Sequence, residues 1–260
     1  MSGGRRALST ASLVLVAACS REGSHTEKPA VVTSAAASVA ESATTVAAPA
    51  GAKLDCIGEP TAERFVVYLH GMDSEAPSEQ EQHNREVLAK LAKAQGVRFA
   101  LPRASMACPT RAGSVCWGWK FDEAEASAAA TQIDAAATGC FPGKPYGVLG
   151  FSNGGYLLNK LLRSCRLEAM LPKAEWLIGV GSARFEGEGE LEAEPKSLAG
   201  CGRLLLLSGR EDSYNFDPKH HLYELLVAKG ADVEHFEFPG GHILEETSLK
   251  QALERVSKAR

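Results

Sequence analysis

The sequence has no C-x-x-C pair, and no histidine follows a cysteine at ligand distance, so a structural zinc site is not expected. It has no basic stripe with interleaved aromatics, and the net charge is −4, which removes nucleic acid from the expected partners. It shows no internal repeat. Its first apolar run, Leu8 to Ala18, falls short of the ~20 residues needed to cross a bilayer. Residues 20–52 contain no aromatic residue and ten alanines, so they cannot bury enough apolar area to offset their ordering entropy.

What is present divides the chain. Arg5 and Arg6, the short apolar run and small residues at its exit form an export signal. The ending Val-Ala-Ala-Cys19, followed by Ser20, resembles a bacterial lipobox. That resemblance implies cleavage before Cys19 and an N-terminal lipid anchor in the cell envelope. Plain secretion is the alternative. Residues 1–19 are thus read as a lipoprotein-type signal, 20–53 as an Ala/Ser/Thr-rich tether and 54–260 as one folded domain.

Six cysteines remain in an exported chain, an even number that suggests three disulfides. Cys108 and Cys116 flank Pro109 and Gly113, so the sequence predicts that this pair closes a small loop.

Within the domain, apolar runs alternate with helical patterns. The runs at 64–70, 97–101, 146–151, 175–180, 203–209 and 233–238 are largely continuous, as in strands covered on both faces of a parallel sheet. Helices are predicted over 78–95, 122–138, 154–165, 217–229 and 244–259. The fold class is α/β, with a mostly parallel sheet of about six or more strands, helices on both faces and no large lid. Ligands in such sheets sit beyond the carboxyl ends of the strands.

Three of those ends carry chemistry. The stretch Gly150-Phe-Ser152-Asn-Gly154-Gly155 follows an apolar strand and precedes a helical segment, the context of a G-x-S-x-G nucleophile elbow. Asp212 stands just past Leu-Leu-Leu-Leu-Ser208, where an acid can hold an imidazole, and Glu211 beside it is the alternative. His242 follows Gly240 and Gly241 on a loop at the same edge, the place for a general base. The chain order Ser152, Asp212, His242 is the order of the α/β-hydrolases.

The sequence resembles the α/β-hydrolase superfamily from about Arg64 to the C-terminus. Small esterases are the nearest subgroups: carboxylesterase/phospholipase-like and dienelactone-hydrolase-like enzymes, and the secreted polyhydroxyalkanoate-depolymerase and feruloyl-esterase-like group. The last carries a Cys-Trp-x-Trp stretch similar to Cys116-Trp117-Gly-Trp119. In these families a His-Gly-x turn after the first strand supplies an oxyanion N–H. Carried over to Leu69-His70-Gly71-Met72, it makes Met72 and Asn153 the amide donors, with His70 bracing the turn. The sheet is expected to lack the opening hairpin strands of larger members.

The resemblance implies a serine hydrolase, acting on small-molecule or polymer esters through an acyl-enzyme, without cofactor or metal and as a monomer. A peptidase or amidase using the same machinery, and a non-catalytic binding protein on this scaffold, are the alternatives. The segment 101–120 is the longest insertion at the active edge, and Trp117 and Trp119 are its pocket candidates. Arg103 and Arg111 are read as solvated surface charges.

Overall fold

The computed structural model describes residues 55–74, 77–104, 106–108, 116–119, 123–183, 197–213, 215–216 and 220–257. The signal, the tether and Cys19 lie outside these residues, as does Arg111.

Among the described residues, ten strands and six helices follow in order: β1 (Asp55–Ile57), β2 (Arg64–Leu69), β3 (Asp73–Ser74), α1 (Glu79–Gln95), β4 (Val97–Leu101), β5 (Met106–Cys108), β6 (Cys116–Gly118), α2 (Glu123–Cys140), β7 (Tyr146–Phe151), α3 (Asn153–Ser164), α4 (Leu167–Met170), β8 (Ala174–Val180), β9 (Arg203–Gly209), α5 (His221–Ala228), β10 (Asp232–Phe238) and α6 (Glu246–Ser257). All six strands and all five helices expected from the sequence are present. Helix α1 shows why its ends were legible. Ser78 caps its start, the hydroxyl accepting from the Glu81 N–H at 3.2 Å, and Gly96 ends it at φ 60.

Seven strands form the main sheet in the order β1-β4-β2-β7-β8-β9-β10. Every neighbouring pair is parallel except β1 against β4. The continuous apolar strands split by alternation onto two faces. Val67, Leu69, Val148, Leu177 and Leu206 pack against α2, α3 and α5, while Val66, Tyr68, Leu149, Ile178 and Leu207 pack against α1 and α6. Both faces are covered, so neither alternate residue can be polar without a partner.

Two features depart from expectation. An opening strand does precede β2: β1 is antiparallel on the edge, three residues long and too short to leave a period. The insertion after β4 supplies β5 and β6, which join β3 in a second, three-stranded sheet in the order β3-β6-β5. In it Cys108 faces Cys116 across the β5–β6 pair. Their side chains lie outside the description, and so does the predicted bond between them. Among the described residues two other disulfides are present. Cys56–Cys140 ties β1 to the end of α2 and Cys165–Cys201 ties the end of α3 to the approach to β9, with Cα atoms 5.9 and 4.6 Å apart.

Candidate active site

The turn between β7 and α3 puts Ser152 in a conformation that side chains rarely adopt, φ 49 and ψ −114. The glycines around it have a steric reason. A β-carbon on Gly150 would lie 2.5 Å from the Gly154 carbonyl, and one on Gly154 would strike the Leu69 carbonyl. The strand and helix therefore approach each other closely, and β2 closes over them. The Ser152 amide donates to the Val180 carbonyl at 2.8 Å, which fixes the turn to the end of β8. The hydroxyl is left at the N-terminus of α3, whose first amides have no partner within the helix and whose dipole favours negative charge there.

Asp212 follows β9 and is 2% exposed. Its Oδ2 lies 2.6 Å from Nδ1 of His242. A carboxylate only accepts, so the proton sits on Nδ1 and the His242 Nε2 lone pair is free to act as a base. Glu211, the alternative acid, is exposed, and its amide donates to the Gly240 carbonyl at 2.8 Å.

The His242 loop is brought to the serine's side of the sheet from several directions. The Phe151 ring, next to Ser152, lies 4.8 Å from the His242 ring between centroids. Gly181, directly after Val180, has its β-position 2.8 Å from His242 Cε1 and 3.5 Å from Asp212 Oδ2. Helix α1 clasps the loop from outside. Gln80 donates to the His242 carbonyl, His83 Nε2 meets the Leu244 carbonyl at 3.3 Å, and the Leu244 amide donates to Asn84 Oδ1 at 3.4 Å. Asn84 in turn donates to the Tyr68 hydroxyl at 3.0 Å, which donates to Glu81 at 2.8 Å. Burial raises the Glu81 carboxyl above its usual range, against the pull of Tyr68 and Arg85.

Thus the structure gathers Ser152, Asp212 and His242 at one edge. The Ser152 hydroxyl makes no hydrogen bond among the described residues.

The turn after β2 lies against the elbow, the Gly71 β-position being 3.2 Å from Ser152 Cβ. Met72 projects from this turn at 66% exposure. His70 is buried behind it. The Ala104 amide donates to His70 Nε2 at 3.0 Å, so Nδ1 carries the proton and donates to the Gly71 carbonyl. Burial lowers the His70 pKa, which keeps the ring neutral and preserves both bonds.

The tryptophans separate. Trp119 is 4% exposed and its indole N–H donates to the His70 carbonyl at 3.1 Å, so it packs behind the turn and does not wall an open pocket. Its amide donates to Asn153 Oδ1, which joins the insertion to the start of α3. Trp117 has a described backbone, paired with Asp73 and Ala107, and its side chain lies outside the description. Arg103 is exposed.

Sequence reasoning missed Asn215 and Tyr156. Asn215 is 6% exposed, and its amide and side chain both approach Asp212. Tyr156, on α3, donates to Asn215 Oδ1. Among the described residues no cluster of three or more metal-ligating side chains occurs.

No protein-family model matches the chain, and no curated protein does. Solved structures do. YahD, solved with malic acid, is 15% identical over 80% of this chain and 100% of that one, at a TM-score of 0.52. A Bacillus cereus carboxylesterase is 17% identical over 81% and 96%, at 0.51. Zea mays acyl-protein thioesterase 2 is 20% identical over 79% and 97%, at 0.50. At such identities the likeness is one of fold, and the chain has the α/β-hydrolase fold.

Proposed function

We propose that this chain is a carboxylic ester hydrolase working through Ser152, His242 and Asp212. The observation that carries the reading is the 2.6 Å contact of His242 Nδ1 with a buried carboxylate, beside a serine held in a strained strand–helix turn. Nε2 takes the hydroxyl proton as Oγ attacks the ester carbonyl carbon. The tetrahedral oxyanion is received by the amides of Met72 and Asn153 and by the positive end of α3. The intermediate collapses, the alkoxide leaves with the proton from His242, and an acyl-Ser152 ester remains. Water then attacks this ester, with His242 as base again. Asp212 stabilises the imidazolium at both stages.

Hydrolysis of short-chain p-nitrophenyl esters by the wild type and Ser152→Ala tests the reading, alongside peptide anilides. The expected result is ester turnover that falls by about 10⁴-fold or more in Ser152→Ala, with an unchanged unfolding midpoint. Equal rates in the two proteins would remove the nucleophile. Faster anilide than ester cleavage would make the protein an amidase.

We also propose that the chain is exported and anchored through lipid on Cys19, a reading supported by the leader and by two disulfides suited to an oxidising compartment. Incorporation of labelled palmitate that survives Cys19→Ala would contradict it.

A further inference from the structure

We infer that Asn215 is a positioning residue for the acid–base pair, tied through Tyr156 to the helix that bears the nucleophile. The inference rests on the proposed reading of Ser152, His242 and Asp212. Asn215 lies three residues after Asp212 and is nearly as buried. Its backbone N–H donates to Asp212 Oδ1 at 3.0 Å. Its side-chain nitrogen lies 3.4 and 3.3 Å from the two Asp212 oxygens and 3.0 Å from His242 Nδ1.

Donor and acceptor chemistry decides what this group does. Nδ1 already carries the proton that it shares with Asp212, so it cannot accept from Asn215. The amide N–H groups are left to the carboxylate. The other end of the amide is also fixed, because Oδ1 accepts from the Tyr156 hydroxyl. Tyr156 belongs to the first turn of α3, and its own N–H donates to the Ser152 carbonyl at 3.0 Å. A continuous path therefore runs from the Ser152 backbone through Tyr156 and Asn215 to Asp212 and His242. It couples the position of the nucleophile's helix to the orientation of the acid.

The electrostatics are also defined. A positive amide edge 3.0 Å from Nδ1 opposes charging of the imidazole, and its hydrogen bonds draw density from the carboxylate. Both effects bear on the contact between His242 and Asp212. The other charged groups around the loop act less directly. Glu211 faces it through its backbone, and Glu245 is engaged by the amides of Thr247 and Ser248. Phe151 and Gly181 add no charge, and α1 reaches the loop with Gln80, His83 and Asn84.

The test is the pH dependence of the rate at which a fluorophosphonate labels Ser152 in the full chain. It compares the wild type with Asn215→Ala, Asn215→Asp and Tyr156→Phe, with Ser152→Ala as control. The acid limb of that profile reports the base in the free enzyme. Removing the amide should move the limb to higher pH by about half a unit, and Asn215→Asp, which sets a second carboxylate beside the first, by about one unit. Tyr156→Phe should move it the same way by less. Labelling at the plateau should fall about tenfold in Asn215→Ala. Asn215→Asp keeps the shape and the Tyr156 contact, so it carries the test where the alanine variant folds poorly. A purely structural role would lower labelling only in step with the folded fraction and leave the limb in place. Superimposable limbs in variants that fold would overturn the inference alone. A wild type that is not labelled, or a labelled Ser152→Ala, would overturn the reading of the site and this inference with it.

Discussion

At the scale of single residues, the strain at Ser152 is the feature with the clearest thermodynamic consequence. A side chain at φ 49 and ψ −114 costs on the order of 1–3 kcal/mol, which the surrounding contacts must offset. Replacing Ser152 with alanine removes the hydroxyl but keeps the β-carbon, and hence the strain. Glycine relieves the strain at an entropic cost of ~0.5–1 kcal/mol. Ser152→Gly should therefore be more stable than Ser152→Ala by about 1 kcal/mol, measured by urea unfolding, and on the proposed reading both should lose activity. A glycine variant no more stable than the alanine one would mean that the turn is not strained. Ser152, Asp212 and His242 all stand out in the sequence as candidates. Each follows an apolar strand, and glycines sit around the serine and before the histidine. Asn215 does not, because nothing local distinguishes an asparagine in a polar loop from one aimed at a carboxylate. The placement of Trp119 needed the tertiary structure for a related reason. An aromatic in an insertion at the active edge reads as a pocket wall until its burial and its bond to His70 are known.

At the scale of elements, α1 contributes more than a covering layer. Its face at Gln80, His83 and Asn84 holds the loop of His242, while Asp73 accepts from the Ser78 amide at 2.9 Å where the helix begins. The helix thus spans from the turn after β2 to the loop of His242. Asn84 has no exposed surface and serves both Leu244 and Tyr68. Asn84→Ala leaves those buried groups without their partner, so stability should fall by about 2–3 kcal/mol. Hydrolysis by the folded fraction should fall as well, because the loop loses its register. Denaturant unfolding and active-site titration of the same sample separate the two effects, and full specific activity per folded molecule would show that the clasp is dispensable. The helix itself was plain from its cap, its period and Gly96. Its contacts with a loop about 160 residues away were not, since a period states which face is buried and not against what. Strands β3, β5 and β6 have two or three residues each, too few to show alternation, so the small sheet could only emerge from pairing.

At the scale of the whole molecule, two histidines, His70 buried and His235 half-buried, set the response to acid. Burial lowers the pKa of His70, and it lowers that of His235 with help from the nearby His220. A histidine depressed in the folded state contributes stability that is complete above the unfolded value of about 6.5 and is lost as pH falls through the folded value. Glu81 acts in the opposite sense at lower pH, since its raised carboxyl binds a proton before the unfolded chain does. The urea midpoint should therefore be flat from pH 8 to about 6.5 and decline below it, and His235→Gln should flatten part of that decline. A midpoint unchanged down to pH 5 would show that neither ring is held neutral. The disulfides act at this scale too. Cys56–Cys140 and Cys165–Cys201 close sequence separations of 84 and 36 residues, so they restrict the unfolded chain more than a short loop would.

The sequence by itself determined the α/β class, the six parallel strands, their helices and the three strand ends that carry hydroxyl, acid and imidazole. These are local matters: a continuous apolar run, a cap, a glycine where two backbones meet. Only the tertiary structure decided which cysteines pair, where Trp119 points, how α1 grips the histidine loop and that Asn215 stands between Asp212 and Tyr156. Each of those depends on the distance between residues remote in the chain, and side-chain hydrogen bonds are made or lost within about an ångström.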